Sequence, residues 1–357
     1  MWLNKEMSFR THQVITIPGD GIGVEAIPPT ISVLNAVGDK YGFRINWNDV
    51  PWGSDYFRKH QRMMPIDGIE IVSKFDAILL GAIGVPELSD VDTLWGLLIP
   101  IRQNFDQFIN LRPIKSFKGV KTPLVGNKVI DMLIIRENAE GEYSKVGGRY
   151  YEGFPEETAL QVAVFTRRGI ERVTKYAVQQ AKSRKHRIVS ATKSNGIIYS
   201  MPFWDEVVES VVTQEPEIEL KSVLIDALAA ALVLHPENFD VIVASNLFGD
   251  ILSDLAAALV GSIGVAASGN INPERKFPSM FEPVHGSAPD IMGRGIANPV
   301  GAIQAGTLML RHLGEVQAAD DVDSALHNLI ASGISTTDLG GTETTNSFTT
   351  KLSALIK

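Results

Sequence analysis

Short apolar runs and a longer amphipathic run alternate in the first part of the chain. Residues 13–17 (QVITI), 43–47 (FRINW) and 76–81 (DAILLG) are short and rich in β-branched or aliphatic side chains, which is typical of strands. Residues 25–37, between the first two runs, have apolar side chains at helical spacing. Strands that alternate with helices predict a parallel or mixed α/β sheet.

The pattern changes between residues 132 and 165, where strand-like runs follow one another without helices between them. Thr166 is then placed to cap an amphipathic helix that extends to about residue 184. Further along the chain we predict strands at 187–192, 218–225 and 240–244, a helix at 203–213 and an apolar segment at 227–234.

The carboxyl-terminal third is less regular. Residues 266–298 are rich in Gly, Pro, Ser and Asn and predict an extended, ordered and functional loop. Helices at about 300–313 and 322–332 close the chain, followed by a polar turn through Gly340-Gly341. Shifts in composition near residues 108 and 265 predict two domains, with 108–264 inserted into a discontinuous domain of 1–107 plus 265–357.

Composition narrows the classes of function. The 357 residues suffice for about two domains at roughly 150 residues each, and the net charge of −8 gives no general attraction to nucleic acid or membrane surfaces. The chain has no cysteine, which excludes disulfides, thiolate nucleophiles and Cys-ligated metal sites. No apolar run is long enough for a membrane helix, and the first dozen residues lack a signal-peptide core, so we expect a cytoplasmic protein. Met7 could be an alternative start.

Two aspartates mark the most informative segment, residues 245–254 (SNLFGDILSD), which follows the strand at 240–244. Asp250 and Asp254 are four residues apart, so on a helix they share one face and can reach one cation. A simpler explanation is that both carboxylates favour the positive end of the helix. The pair by itself leaves the two explanations open.

An early glycine turn, GDGIG at residues 19–23, lies between a strand and a helix. Its spacing is G-x-G-x-G, whereas the dinucleotide fingerprint of a Rossmann fold is G-x-G-x-x-G. We therefore reject a Rossmann domain and keep a tight turn that brings backbone close to a ligand.

Several further side chains could take part in chemistry. Arg102, Arg112 and Arg136 stand near predicted strand ends, and paired guanidinium groups are suited to a dicarboxylic acid. Tyr143 and Lys193 are candidate acid–base groups. The sequence has no HExxH, GxSxG or Walker motif, which argues against zinc hydrolases, serine hydrolases and P-loop enzymes.

Six segments together resemble the decarboxylating 2-hydroxyacid dehydrogenases, the family of isocitrate and isopropylmalate dehydrogenases. They are IPGDGIG (17–23), LRP (111–113), RENAEGEYS (136–144), SATKSNG (190–196), SNLFGDILSD (245–254) and EPVHGSAPDIMGRGIANP (282–299). The resemblance runs from about residue 13 to the end, and the tartrate dehydrogenase/decarboxylase and D-malate dehydrogenase group is most similar. It implies an isocitrate dehydrogenase-like α/β fold, with a mixed sheet flanked by helices in two domains.

The resemblance also implies site residues and cofactors. The three arginines would bind substrate carboxylates, Lys193 would assist deprotonation of the 2-hydroxyl, and Tyr143 would protonate the enol. Mg²⁺ or Mn²⁺ would be bound by Asp226, Asp250 and Asp254, with Lys193 and Asp226 contributed by the second subunit of a homodimer. A monovalent cation such as K⁺ could also be required. The cofactor-binding residues would be Asn195, Glu282, His285, Gly286, Ser287, Ala288, Asp290, Ile291 and Asn298.

Two positions bear on specificity. Asp290 can accept hydrogen bonds from both ribose hydroxyls and repels a 2′-phosphate, which favours NAD. Trp95 stands where isopropylmalate enzymes have a glutamate, and its bulk favours a small substrate such as D-malate or tartrate, oxidised and decarboxylated. If Trp95 is only a packed aromatic, 3-isopropylmalate dehydrogenase is the alternative. A non-catalytic nucleotide-binding regulatory subunit is a distant one, because the proton-transfer and metal residues are all present.

Overall fold

The computed structural model describes residues 9–126 and 128–356, which form a ten-stranded sheet and a separate two-stranded hairpin. Met7, the alternative start, lies outside the described residues. No helix in the described part of the chain combines the length and apolar character that a bilayer span requires.

The alternation predicted for the amino-terminal part is confirmed. Its elements are β1 Arg10–Gly19, α1 Ile22–Tyr41, β2 Phe43–Asp49 and β3 Ala77–Ala82. Strand β1 pairs in parallel with both β2 and β3. It is covered on both faces, so Val14 enters one core while Ile15 and Ile17 enter another. Burial on both faces explains the nearly continuous apolar run.

A helical segment from residue 90 to residue 104 covers one face of these strands. The helices on this face are α2 Ser54–His60, α3 Gly68–Val72, α4 Asp90–Thr93, a π-helical turn Leu94–Leu98 and α5 Ile99–Asn104. Leu97 and Ile101 are fully buried in the same core as Ile15 and Ile17. This packing determines which face of the helical segment is turned towards the core.

The strand-rich region predicted between residues 132 and 165 is also confirmed, and a further strand precedes it. Strand β4 Ile109–Lys115 pairs antiparallel with β5 Asp131–Glu137. Strands β6 Gly147–Tyr150 and β7 Thr158–Gln161 form the separate, exposed hairpin. No helix lies within residues 131–161, all of which the structure describes.

Helices and strands then alternate close to the predicted positions. The elements are α6 Arg167–Lys182, β8 Arg187–Thr192, α7 Ser200–Val212, β9 Glu219–Leu224, α8 Ile225–Leu234, β10 Val241–Ala244 and α9 Asn246–Leu259. The Thr166 side chain accepts a hydrogen bond from the Gly169 amide, which confirms the predicted cap of α6.

The prediction of a continuous loop over residues 266–298 was wrong. Strands β11 Ala267–Ile271 and β12 Ser279–Pro283 lie inside it, in the middle of the sheet. The polar residues that suggested a loop are satisfied across the sheet, where Asn110 donates to Ser268 and Asn270.

Three helices, and not two, end the described chain: α10 Val300–Leu313, α11 Val316–Ala331 and α12 Thr345–Ile356. Helix α12 was missed because its polar residues resemble a tail, although Phe348, Leu352 and Ile356 are buried where it packs against α1.

The strand order is β2-β1-β3-β12-β11-β4-β5-β10-β8-β9. The four strands from β2 to β12 are parallel to each other, as are the four from β5 to β9. Strands β11 and β4 join the two groups through antiparallel pairs. The two-domain division made from the sequence stays a prediction.

Glu137, the last residue of β5, is a buried carboxyl group whose oxygens accept hydrogen bonds from the amides of Ala139 and Glu140. Burial raises the pKa of Glu137 from 4.5 to about 7. Between these values the folded state binds more protons than the unfolded state, so stability falls as pH rises.

We therefore expect Glu137→Gln to flatten this pH dependence. From pH 4.5 to pH 7 the wild type should lose up to about 3 kcal/mol of unfolding free energy relative to the variant. Urea unfolding at several pH values measures the difference, with exposed Glu209→Gln as the control. Equal pH slopes for wild type and Glu137→Gln would contradict the assignment.

Candidate active site

A cavity of about 620 Å³ lies between the helical segment 90–104, the edge of β4 and β5, and the first turns of α9. Its apolar side is formed by Leu94, Trp95, Leu98, Ile99 and Leu247. Its polar side is formed by Arg102, Arg112, Arg136, Glu142, Tyr143, Ser144, Gln161 and Asp250. The fold thus brings all three predicted arginines together with Tyr143, Trp95 and Asp250.

Asp250 is at the centre of the charged groups. Its Oδ1 lies 2.6 Å from Nη1 of Arg136 and 3.2 Å from Nη2 of Arg112. Both arginine side chains are buried. Burial opposes ionisation of Asp250, but the charges of Arg136 and Arg112 hold the pKa of its carboxyl below the ordinary value. Asp250 is therefore an ionised carboxylate that pairs with two guanidinium groups at once.

Asp254 lies one helical turn further along α9, and its Oδ1 is 3.1 Å from Nη1 of Arg112. Burial raises the pKa of Asp254, against the attraction of Arg112. The first turn of α9 contains no acidic residue. Because the helix dipole acts mainly on the first turn, stabilisation of the helix end does not explain the pair.

The pair fits a divalent cation in its chemistry. Mg²⁺ prefers oxygen ligands and is commonly held by one or two carboxylates, with water and substrate completing its octahedral shell. Asp250 and Asp254 supply two such carboxylates beside the cavity. Within residues 9–126 and 128–356, no three His, Asp or Glu side chains are grouped closely enough to hold a metal ion.

The third predicted ligand, Asp226, is not part of this group. It lies at the start of α8, where its Oδ1 is 2.8 Å from Nζ of Lys193 at the end of β8. The hydrogen bond from Lys193 lowers the pKa of Asp226. In one chain the structure therefore pairs Lys193 with Asp226 and pairs Asp250 with the arginines.

Tyr143 donates a hydrogen bond of 2.8 Å to Oδ2 of Asp250. Burial and the negative charge of Asp250 raise the pKa of Tyr143, so its phenol keeps its proton. The guanidinium of Arg136 lies 5.4 Å from the centre of the Tyr143 ring. Such a protonated phenol can serve as a proton donor in the cavity.

A buried polar chain connects two of the arginines. Nε of Arg112 donates to Asn110, Asn110 donates to Asn270, and Asn270 donates to Glu282, at 2.7, 2.8 and 2.7 Å. Glu282 also accepts a hydrogen bond of 3.0 Å from Arg102. Glu282 was predicted to bind the cofactor, and in this chain its carboxylate holds Arg102.

Sequence reasoning missed Asn110 and Asn270. Asn110 gave a usable signal, because it is a polar residue within the apolar run of β4. Asn270 gave none once its segment was taken for a loop.

The predicted cofactor loop packs against the glycine turn. The amide of Ile22 donates to the carbonyl of Ser287 at 2.8 Å, and a Cβ on Gly21 would lie 2.0 Å from that carbonyl oxygen. Gly21 has a φ of +53°, a backbone conformation that favours glycine. The turn therefore approaches the backbone of another loop closely, and its approach to a ligand stays a prediction.

Polar groups suited to a nucleotide lie in the same loop. Nε2 of His285 is buried without a hydrogen-bond partner in the described residues, and burial lowers the pKa of this imidazole. Asp290 is exposed, with Ile291 half-buried beside it. Gly286 and Ala288 complete the turn, where Ala288 has a φ of +40°. An unpartnered imidazole and an exposed carboxylate fit a ligand that carries phosphate and ribose groups.

Two carboxylates that sequence reasoning missed support these loops. Asp20 accepts hydrogen bonds from the amides of Ser54 and Gly84, both at 2.8 Å. Glu25 accepts them from the amides of Gly295 and Ala297. Asp20 lies in the glycine turn and Glu25 in the first turn of α1, and these positions were the only indication in the sequence that the two carboxylates support nearby loops.

The remaining two predicted cofactor residues have different surroundings. Asn298 is buried, donates to Asp338 at 2.8 Å and accepts from the Val300 amide, so it supports the start of α10. Asn195 is exposed after β8, which is five positions from β12 in the sheet, or roughly 24 Å at the usual strand spacing. One chain does not bring Asn195 to the loop.

Comparison with known proteins agrees with this geometry. The family model described as isocitrate/isopropylmalate dehydrogenase matches residues 13–353. A protein of Bacillus subtilis named probable tartrate dehydrogenase/decarboxylase is 47% identical over 98% of this chain and 99% of its own length. The D-malate dehydrogenase (decarboxylating) of Escherichia coli is 49% identical over 94% of this chain and 96% of its own.

A solved structure gives the same result for the fold. The isocitrate dehydrogenase of Methylococcus capsulatus superimposes with a TM-score of 0.88 at 31% identity, over 97% of this chain and 99% of that one. The predicted isocitrate dehydrogenase-like α/β fold is confirmed, as is the resemblance on which it was based. The chain is an oxidoreductase that belongs to the isocitrate/isopropylmalate dehydrogenase family.

Proposed function

We propose that this enzyme carries out the NAD-dependent and divalent-metal-dependent oxidative decarboxylation of a small 2-hydroxy dicarboxylate, D-malate or tartrate. The observation that carries the proposal is the single cavity in which Arg102, Arg112 and Arg136 meet Asp250 and Tyr143. Relatives named for tartrate and D-malate, at 47% and 49% identity, support it.

The arginines bind and orient the substrate. Three guanidinium groups can form paired hydrogen bonds with both carboxylates of a dicarboxylic acid. In the free chain Arg112 and Arg136 are held by Asp250, and Arg102 is held by Glu282. The positive charges are thus fixed in the cavity before substrate arrives, which reduces the cost of ordering them on binding.

Lys193 and Tyr143 move protons. Lys193 takes up the proton of the substrate 2-hydroxyl, and Tyr143 donates its phenolic proton to the carbon from which CO₂ has departed. When bound, a divalent cation held by Asp250 and Asp254, with Asp226 of the second subunit, would supply Lewis acidity, and the dinucleotide would supply the hydride acceptor. The loop from His285 to Asp290 would hold the dinucleotide, with Asp290 on its ribose.

A homodimer would complete the site. Lys193 and Asp226 would serve the cavity of the second subunit, because in one chain they pair with each other away from Asp250. The hairpin β6–β7 and the helices α8 and α9 carry exposed apolar side chains, which mark an interface. They are Val146, Tyr150, Tyr151, Phe154, Leu160, Val233, Leu234 and Ile251.

3-Isopropylmalate is the second candidate substrate. Leu94, Leu98, Ile99 and Leu247 give the cavity an apolar side on which a branched alkyl group could pack. Trp95 fills part of this side, which favours a substrate whose C3 carries only H or OH.

The purified enzyme should reduce NAD and release CO₂ with D-malate or tartrate, at a higher kcat/KM than with 3-isopropylmalate. EDTA should abolish turnover and Mn²⁺ should restore it.

Asp250→Asn should lower kcat by about 10³-fold or more, because the charge at the centre of the site is lost. NADH absorbance and CO₂ release, measured together, test these outcomes.

Exposed Asp39→Asn is the matched control and should keep full activity. Circular dichroism of Asp250→Asn separates lost chemistry from lost folding, since this change also removes a countercharge from two arginines. A higher kcat/KM for 3-isopropylmalate would move the assignment to that substrate.

Asp290→Lys should weaken the use of NAD and improve the use of NADP. A carboxylate accepts hydrogen bonds from ribose hydroxyls, whereas an ammonium group attracts a 2′-phosphate. The ratio of kcat/KM for the two cofactors measures the change. An unchanged ratio would show that Asp290 does not contact the ribose.

Mixing two inactive variants tests the shared site. Tyr143→Phe and Lys193→Met should each be inactive, but a mixed dimer has one site in which both residues are intact. Random exchange of subunits should therefore restore about a quarter of wild-type activity.

Tyr143→Phe mixed with Asp250→Asn is the control and should stay inactive, because both residues serve the cavity of their own chain. No recovery in the first mixture, after subunit exchange has been verified by mass spectrometry, would contradict a site shared between subunits.

A further inference from the structure

We propose that Lys145 determines substrate specificity by holding the ring of Trp95 in place at the cavity, so that the ring excludes branched alkyl groups at C3. The inference rests on the proposed function and deepens it. The observation is a contact between a cavity residue and an exposed one, where Nζ of Lys145, which does not line the cavity, lies 4.5 Å from the centre of the Trp95 ring, which does.

Trp95 is held from the helical side. Trp95, Ile99 and Arg102 line the same cavity and follow one another at nearly helical spacing, so the Trp95 backbone lies about 10 Å along the axis from the Arg102 backbone. Leu97 and Ile101, on the opposite face, are fully buried. Trp95 also lies within the π-helical turn Leu94–Leu98, a form that is frequent at functional sites.

Lys145 is held from the other side. It lies two residues after Tyr143, in a segment supported by β7. Nε2 of Gln161 donates to the carbonyl of Ser144 at 2.8 Å, and Oγ of Ser144 donates to the carbonyl of Val162. The hydrogen bond of Tyr143 to Asp250 fixes the same segment at its inner end.

The contact between the two sides is a cation–π interaction, for which separations up to about 6 Å are favourable. It fixes the position of a ring that lines the cavity. An isopropyl group at C3 would have to displace the ring and break this contact, which is unfavourable. A hydrogen or a hydroxyl at C3 needs no such space.

Lys145→Met tests the inference, because methionine keeps an unbranched apolar chain and removes the charge. The ratio of kcat/KM for 3-isopropylmalate to that for D-malate should rise by about tenfold, a usual discrimination for a small apolar group. Lys145→Arg, which preserves the cation–π contact, should keep the ratio at the wild-type value. Lys59→Met, an exposed change on α2, is the control and should leave it unaltered.

A double-mutant cycle tests whether the effect of Lys145 on specificity depends on the Trp95 ring. If Lys145 acts through Trp95, Lys145→Met should change the ratio little in a Trp95→Leu background. Calorimetric binding of 3-isopropylmalate to the metal-loaded enzyme without NAD should tighten in Lys145→Met, a readout that needs no turnover.

Two failures are distinguishable. If the wild type oxidises D-malate or tartrate but Lys145→Met changes neither the ratio nor the binding, this inference is wrong and the proposed function stands. If the wild type oxidises none of the three acids, both are wrong.

Discussion

The site depends on one carboxylate that pairs with two buried guanidinium groups. The side chains of Arg112 and Arg136 are only 8% and 2% exposed, and both lie within ion-pair distance of Oδ1 of Asp250. An uncompensated buried charge costs several kcal/mol, so Asp250, together with Asp254 beside Arg112, stabilises both arginines in their places. Asp250 reaches them because α9 begins directly after β10, which pairs with β5. The junction of a strand and a helix thus fixes the position of the charges.

A chain of hydrogen bonds through the middle of the sheet also links the position of Arg112 to that of Arg102. Asn110, Asn270 and Glu282 link the two arginines across β4, β11 and β12, where antiparallel strands join the two parallel groups. Each asparagine uses both its oxygen and its nitrogen, so the network leaves few alternative arrangements. The arginines are positioned from inside the sheet and not by mobile surface loops.

Local patterns explain what could be predicted from the sequence. The early strand–helix alternation, the cap at Thr166 and the i, i+4 spacing of Asp250 and Asp254 each depend on neighbouring residues. Strand β11 could not be predicted in this way, because its polar side chains are satisfied by Asn110, about 160 positions away in the chain. The contact of Lys145 with Trp95 and the pairing of Glu282 with Arg102 are equally non-local, so no short motif indicates them.

The proposed cation site and the exposed hairpin can be understood together. Lys193 and Asp226 pair with each other near the surface, and such exposed pairs contribute little stability, so in the proposed site a cation would replace the ammonium at low cost. The hairpin that carries exposed aromatic side chains also supports the segment of Tyr143 and Lys145 through Gln161. Burial of that hairpin against a second copy would hold the proposed proton donor and Lys145 in the same event. In the proposed dimer, assembly and catalytic geometry would therefore be coupled through β7, since the same strand carries part of the proposed interface and supports the cavity.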